Sequence, residues 1–275
     1  MPYTTFSLFY DQKFAFSWLP NGLVSGGILF NYDVAGDADL SWTQAALNLS
    51  YSHQLADEHF VTAGFQLLNG QRAIRPELLT FDEQFNGDIF DASLPTNEFF
   101  ANTSKGFLSL GTGINWFFRD LDSRTTIKGG GSYFHFNKPA VGFLTGSTVA
   151  LSALGNLYGI ADLEIHDQMD LQIRALAQVQ GSYKELLLGG GIKYHLRQES
   201  GKELALSGGI SYRMSDAIIA QFELYYSNWQ FGLSYDINIS PFRVATNRNG
   251  GPEISLQYII FKVQPPDTFK ACPIF

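Results

Sequence analysis

Five histidines, His53, His59, His135, His166 and His195, are the first residues to weigh for chemistry. A metal-binding pair needs ligands two residues apart on a strand or three to four apart on a helix, so that both reach one face. No two of these histidines have either spacing. A hydrolase at a membrane rim needs a nucleophile held against a base that is itself oriented by a third group. His166 and His195 stand near strand ends and are the candidates for such a place, but polar strand-end residues without a catalytic role fit them better. Asp33, Asp37 and Asp39 crowd one turn, and calcium favours clustered carboxylates. Their spacing departs from an EF-hand loop, and Gly36 among aspartates is ordinary turn chemistry. The single cysteine, Cys272, excludes an internal disulfide and a cysteine-based zinc site. The expectation is a chain with no catalytic residues, no metal and no cofactor.

A second constellation is electrostatic. Asp162, Glu164, Arg174, Lys193, Arg213, Glu223 and Asp236 all have the sequence parity of rows rich in Gly, Ser and Gln. Charges that face an enclosed interior are costly unless paired. Such a row lines a pore or closes one with ion pairs, and the closed, paired reading is the favoured one. Asp162 and Arg174 flank one short turn and are expected to oppose each other directly as an ion pair, since opposed positions bring Cβ atoms within about 5 Å.

The elements that must hold these residues follow from periodicity. The 275 residues are 45% hydrophobic, 15% aromatic and only 16% charged, with 24 Phe, 13 Tyr and 27 Gly. Soluble domains carry about 25% charged residues, so charge is depleted. Mean hydropathy is near zero, and no apolar run approaches the roughly 20 residues of a membrane helix. A net charge of −8 argues against a nucleic-acid partner. What the chain does show is alternation of apolar and polar residues over segments of about 10 residues, separated by turn residues, the signature of barrel strands. From Trp229 one face reads Trp229, Phe231, Leu233, Tyr235, Ile237, and the other Gln230, Gly232, Ser234, Asp236, Asn238. The apolar rows end in aromatic residues, as an interfacial girdle requires. The polar rows lack the Lys and Glu of a soluble surface. Leu171, Ile173, Leu233, Tyr235, Ile254 and Leu256 are expected to face lipid.

Thirteen strands are legible, near 4–11, 23–34, 40–55, 59–68, 106–119, 125–136, 156–166, 170–180, 184–196, 203–214, 217–228, 229–237 and 253–263. The expected fold is all-β: an antiparallel up-and-down transmembrane β-barrel over 1–263, followed by a tail at 264–275. The long connections, roughly 71–104, 138–155 and 239–252, fall on one side of such a meander. Long loops in bacterial barrels are extracellular and short turns periplasmic, which puts the tail in the periplasm. Met1 is followed at once by strand-like residues, with no basic n-region and no apolar h-region. The expectation is that a leader and at least one outward-running strand precede it, giving about fourteen strands in all.

The tail carries Phe269, Cys272, Pro273, Ile274 and Phe275, and three of its residues are proline. Proline forbids a further paired strand. Two readings stay open: a free end, or an apolar periplasmic element that docks a partner or plugs the lumen.

Several stretches resemble the PorP/SprF family of Bacteroidetes outer-membrane proteins. They are Pro2-Tyr-Thr-Thr-Phe-Ser, Thr43-Gln-Ala-Ala-Leu-Asn-Leu-Ser-Tyr51, Leu79-Thr-Phe-Asp-Glu-Gln-Phe85, Asp216-Ala-Ile-Ile-Ala220, Phe231-Gly-Leu-Ser-Tyr-Asp236, Gly250-Gly-Pro-Glu-Ile-Ser-Leu256 and Cys272-Pro-Ile-Phe275. The resemblance spans essentially the whole chain. It implies a non-enzymatic outer-membrane component of type IX secretion and gliding motility, needed for export or surface anchoring of adhesin-type cargo. It also implies, as partners, other components of that machinery, the secreted cargo and outer-membrane lipid. The competing class is a porin-like channel for small solutes, which requires an unobstructed lumen. A barrel enzyme comes third and requires a tight nucleophile–base contact at a rim.

Overall fold

The computed structural model describes residues 3–14, 16–19, 21–96, 102–143, 148–199, 202–241 and 249–260. Thirteen strands form one sheet in strict chain order: β1 (Tyr3–Phe14), β2 (Gly22–Ala35), β3 (Leu40–Ala56), β4 (His59–Ala73), β5 (Ser104–Arg119), β6 (Thr126–Phe134), β7 (Leu154–His166), β8 (Met169–Gln180), β9 (Tyr183–Arg197), β10 (Leu204–Arg213), β11 (Ala217–Tyr226), β12 (Trp229–Asn238) and β13 (Asn249–Tyr258). All thirteen segments expected from the alternation contain strands, most of them longer than expected; residues 261–263 of the last lie outside the described residues. Among the described residues there is no α-helix, only two single 3-10 turns at Pro76–Leu78 and Asp82–Gln84. No helix is long and apolar enough to cross a membrane.

The strands alternate as the sequence does. Along β12 the residues from Trp229 to Asn238 are exposed and half-buried in strict turn. The exposed row is the apolar one: Trp229, Phe231, Leu233, Tyr235 and Ile237. Ile173, Ile254 and Leu256 are likewise exposed, Ile254 to 86%. Leu171 is half-buried on the same row. A soluble sheet would hide these rows against a second layer. Here they are the outer surface, and the polar rows are the more buried ones, which is the inside-out pattern of a transmembrane β-barrel.

The connections alternate as well. The segments 74–103, 135–153 and 239–248 join β4 to β5, β6 to β7 and β12 to β13, and so leave from one end of the meander. The opposite end has short links such as 57–58, 167–168 and 227–228. Gly36 (φ +78°) and Gly181 (φ +59°) supply the left-handed backbone that two tight turns at the long-loop end need. Aromatic side chains gather on the outer face near the short turns. His59 stacks on Trp116 at 5.8 Å, and Trp229 lies 4.6 Å from Tyr258. Rings with one apolar and one wet edge suit a membrane interface.

The chain divides into two compact units, residues 1–160 with 175–186, and residues 161–174 with 187–275. In the first unit the polar face of β1–β5 carries a small apolar cluster of Ala46, Leu68, Phe107 and Val141, packed by Leu29, Trp42 and Leu151. Val141 and Leu151 come from the β6–β7 connection. In the second unit the buried residues are mostly small or polar: Ala205, Ser207, Ser211, Ala217, Ile219, Asp170 and Gln172.

Candidate functional site

The seven charged residues read from the sequence all lie in the second unit, on the polar parity of β7 to β12. Each sits where alternation turns its side chain away from the exposed apolar row. The structure sets six of them in hydrogen bonds, ion pairs or a cation–π contact, in separate groups that neutral side chains enlarge.

On β7, Asp162 accepts a hydrogen bond from the Gln172 amide of β8 at 3.1 Å. The Gln172 carbonyl oxygen in turn accepts from the Ser207 hydroxyl of β10. Arg174 reaches Glu223 of β11, its Nη2 standing 3.9 Å from Oε2. Glu223 also accepts from the Tyr225 hydroxyl, and the Gln230 amide of β12 donates to that hydroxyl at 3.3 Å. Lys193 of β9 sets its ammonium 3.9 Å above the Tyr225 ring, a cation–π contact. At the long-loop end Arg213 of β10 donates to Asp236 of β12 at 2.9 Å and to Asp216 at 3.2 Å. Toward the short turns Asp170 and His195 pair at 2.6 Å, both largely buried. Glu164 stands half-buried on β7, two residues beyond Asp162 on the same face.

Several of these bonds skip a strand. Gln172 on β8 meets Ser207 on β10, and Arg213 on β10 meets Asp236 on β12. The intervening positions explain how. Gly191 and Gly189 face the interior from β9, and Ala217 does so from β11. A Cβ at Gly189 would come within 2.3 Å of Ser211 Oγ, and one at Gly191 within 2.8 Å of the Gly208 carbonyl oxygen. Small residues form a floor over which longer side chains clasp. The space left beside Gln172, Arg174, Ser207 and Glu223 is about 10 Å³, room for roughly one water. The polar face of this unit is therefore packed with paired side chains.

One expectation needs correction. Asp162 and Arg174 do not pair. The Gln172 amide takes Asp162, and the long Arg174 side chain reaches over the glycine floor to Glu223 instead. Direct opposition across a hairpin favours short partners, whereas a guanidinium on a flexible stem can choose a carboxylate two or three strands away. The sequence also leaves Asp170, Gln172, Ser207 and Tyr225 unmarked, and gives His195 only as a strand-end residue without a partner. Their parity was visible; what hid them was the focus on formal charge, although neutral amides and hydroxyls enlarge these groups. The tail residues Phe269, Cys272, Pro273, Ile274 and Phe275 lie outside the described residues.

The first unit differs in chemistry. Much of its polar face is built from amides and hydroxyls. Gln66 donates to Asn48 at 2.9 Å, Gln178 to Asn156 at 2.9 Å, and Asn156 to Ser132 at 3.1 Å. Tyr158 and Asn115 are hydrogen-bonded at 2.7 Å. The clustered carboxylates of the β2–β3 turn have other work. Asp39 pairs with Arg75 at 3.1 Å and Asp33 accepts from Thr5 at 2.8 Å. Asp91 in the β4–β5 connection accepts from both the hydroxyl and the N–H of Ser93. The Ser93 hydroxyl first, and then its N–H, hold the Asp91 carboxyl below its ordinary range. Among the described residues no cluster of three or more His, Cys, Asp or Glu is arranged to hold a metal.

No curated protein matches the chain. Among solved structures it is similar to an outer membrane channel from Pseudomonas putida F1, at 12% identity and a TM-score of 0.43, covering 86% of this chain and 92% of that one. A family model described as the type IX secretion system membrane protein PorP/SprF matches residues 1–258, nearly the whole length. The chain is a member of the PorP/SprF family of type IX secretion system membrane proteins.

Proposed function

We propose that this protein is a non-enzymatic outer-membrane component of the type IX secretion and gliding machinery that works by protein–protein contacts. On this reading it supports the secretion or surface anchoring of adhesin-type cargo. The family match over residues 1–258 is the observation that carries it. The paired side chains of the second unit support it: only about 10 Å³ is left beside Gln172, Arg174, Ser207 and Glu223, which suits a rigid scaffold. The long connections 74–103, 135–153 and 239–248 then face the cell exterior, where cargo is displayed. The tail at 264–275 faces the periplasm and offers Phe269, Ile274 and Phe275 to a partner there. Each such side chain gains roughly 1.5–3 kcal/mol on full burial.

The experiment is affinity purification of the tagged protein from detergent-solubilised outer membrane, with mass spectrometry against an untagged control. Enrichment of other type IX components or of a secreted adhesin is the expected result. A barrel that purifies alone, under conditions that keep other outer-membrane complexes intact, contradicts the proposal.

A further inference from the structure

The β4–β5 connection combines strong charge with exposed apolar surface. From Pro76 to Thr96 it holds five acidic residues, Glu77, Asp82, Glu83, Asp88 and Asp91, and no Lys, Arg or His. That is −5 over this stretch, against −8 for the whole chain. Glu77, Asp82, Glu83 and Asp88 are exposed. The same stretch leaves three large apolar side chains uncovered: Phe85 is 58% exposed, Ile89 64% and Phe90 41%.

Local hydrogen bonds shape this tip. Asp91 N–H donates to Gln84 O at 2.8 Å, and Asn86 N–H to Ile89 O at 3.2 Å. They close a narrow turn in which Phe85 and Phe90 are paired across an antiparallel bridge. Gly87 turns the chain at φ +105°, a backbone that glycine adopts without strain. Asn86 Oδ1 accepts from the N–H groups of Asp88 and Ile89, at 3.3 and 3.2 Å. Gln84 is buried at the base. Its Oε1 accepts from Phe81 N–H at 3.1 Å, and its Nε2 donates to Leu94 O at 3.5 Å. The rings of Phe85 and Phe90 stand 5.8 Å apart, tilted by 60°.

We propose that this tip is a docking knob for a protein partner whose apolar pocket is rimmed by Lys and Arg. The knob rests on the secretion reading above, with the long connections outside the cell, and gives that reading a contact surface. Aromatic anchors at the centre of an interface carry most of its binding energy, and charges around them set the choice of partner. A turn already held by its own hydrogen bonds loses little freedom on binding. Charge selects the occupant. Five carboxylates make entry into lipid costly. A second copy of this chain, also at −8, is repelled, whereas a basic rim is drawn in from a distance.

The test is photo-crosslinking in cells, with benzoylphenylalanine in place of Ile89 in the full chain. The control carries it in place of Tyr183, which is 81% exposed beside the β8–β9 turn. Folding is verified by heat-modifiable gel mobility. The probe at position 89 is expected to join one protein partner that the control does not reach. Phe85→Ser with Phe90→Ser should cut that adduct at least about tenfold, as loss of central anchors does. Asp82→Lys with Asp88→Lys should cut it by about as much through the rim. No adduct at position 89, or adducts only to lipid or to a second copy of this chain, overturns the proposal. So do folded variants of both kinds that crosslink as the parent does. Cargo display in the same cells separates the knob from the role it serves. Display that survives in folded Phe85→Ser, Phe90→Ser cells but is lost without the protein overturns the knob and keeps the secretion role. Display that survives without the protein removes both.

Discussion

Arg213→Leu isolates what the clasp in the second unit contributes. Among the described residues the guanidinium serves two carboxylates, Asp236 at 2.9 Å and Asp216 at 3.2 Å. Their surroundings differ: the Asp236 side chain is 14% exposed and that of Asp216 is 48% exposed. Removing one partner of a fully buried pair costs about 3–5 kcal/mol, because the other charge is left stranded. Arg213 itself is 26% exposed, so water screens part of that loss. A pair with a half-exposed carboxylate contributes about 0–1 kcal/mol. The expected cost of Arg213→Leu is therefore about 2–3 kcal/mol, nearly all of it through Asp236. Urea unfolding of the protein reconstituted in lipid vesicles, followed by tryptophan fluorescence, reads this as a lower midpoint at constant slope. Asp236→Asn should cost on the order of 1–2 kcal/mol, and Asp216→Asn less than about 0.5 kcal/mol. The double variant Arg213→Leu with Asp236→Asn should fall well short of the sum, since the two residues share one interaction. Equal costs for the two asparagine variants, or a loss under about 0.5 kcal/mol for Arg213→Leu, would refute the assignment of the energy to the buried partner.

Other expectations follow from the same structure. Leu233→Arg puts a charge on the exposed apolar row of β12 and should destabilise the inserted protein by roughly 2–4 kcal/mol, whereas the same change in detergent-free soluble sheets would be mild; a negligible effect on unfolding from vesicles would remove Leu233 from the lipid face. Gly191→Val drives a Cβ to 2.8 Å from the Gly208 carbonyl oxygen and stands under the Gln172–Ser207 bond. It should cost about 1–3 kcal/mol in the same assay, against little for a valine at the open position Gly251. Deletion of Ala271–Phe275 should leave barrel insertion normal, read by heat-modifiable mobility, and abolish cargo secretion. Loss of both together would assign the tail to assembly instead, and survival of both would end the docking idea.

The strands were legible because an up-and-down meander writes its geometry locally. Alternation from Trp229 to Asn238 or from Leu171 to Gln180 gives the face of every side chain without knowledge of any partner. The side of the sheet on which the long connections 74–103, 135–153 and 239–248 gather followed from parity alone. Which side chains meet across the interior was not local. Arg174 finds Glu223 three strands away because glycines on β9 and β10 leave the way clear, and no hairpin register announces that. The Asp170–His195 pair spans the neighbouring strands β8 and β9, and a strand-end reading of His195 names no partner for it. The alignment of Phe9, Leu29, Ala46 and Leu68 escaped for a different reason. Each stands between polar residues or glycine on its own row, and only the register of four strands puts them at one level.

The central claim is membership of the secretion machinery, and the direct measurement is cargo at the cell surface. In a strain lacking this protein, surface-exposed type IX cargo is quantified by protease shaving and mass spectrometry, with and without the wild-type protein supplied in trans. The account predicts that at least one adhesin-type cargo disappears from the surface, accumulates in the periplasm, and returns on complementation. A surface cargo profile unchanged by loss of the protein would contradict it.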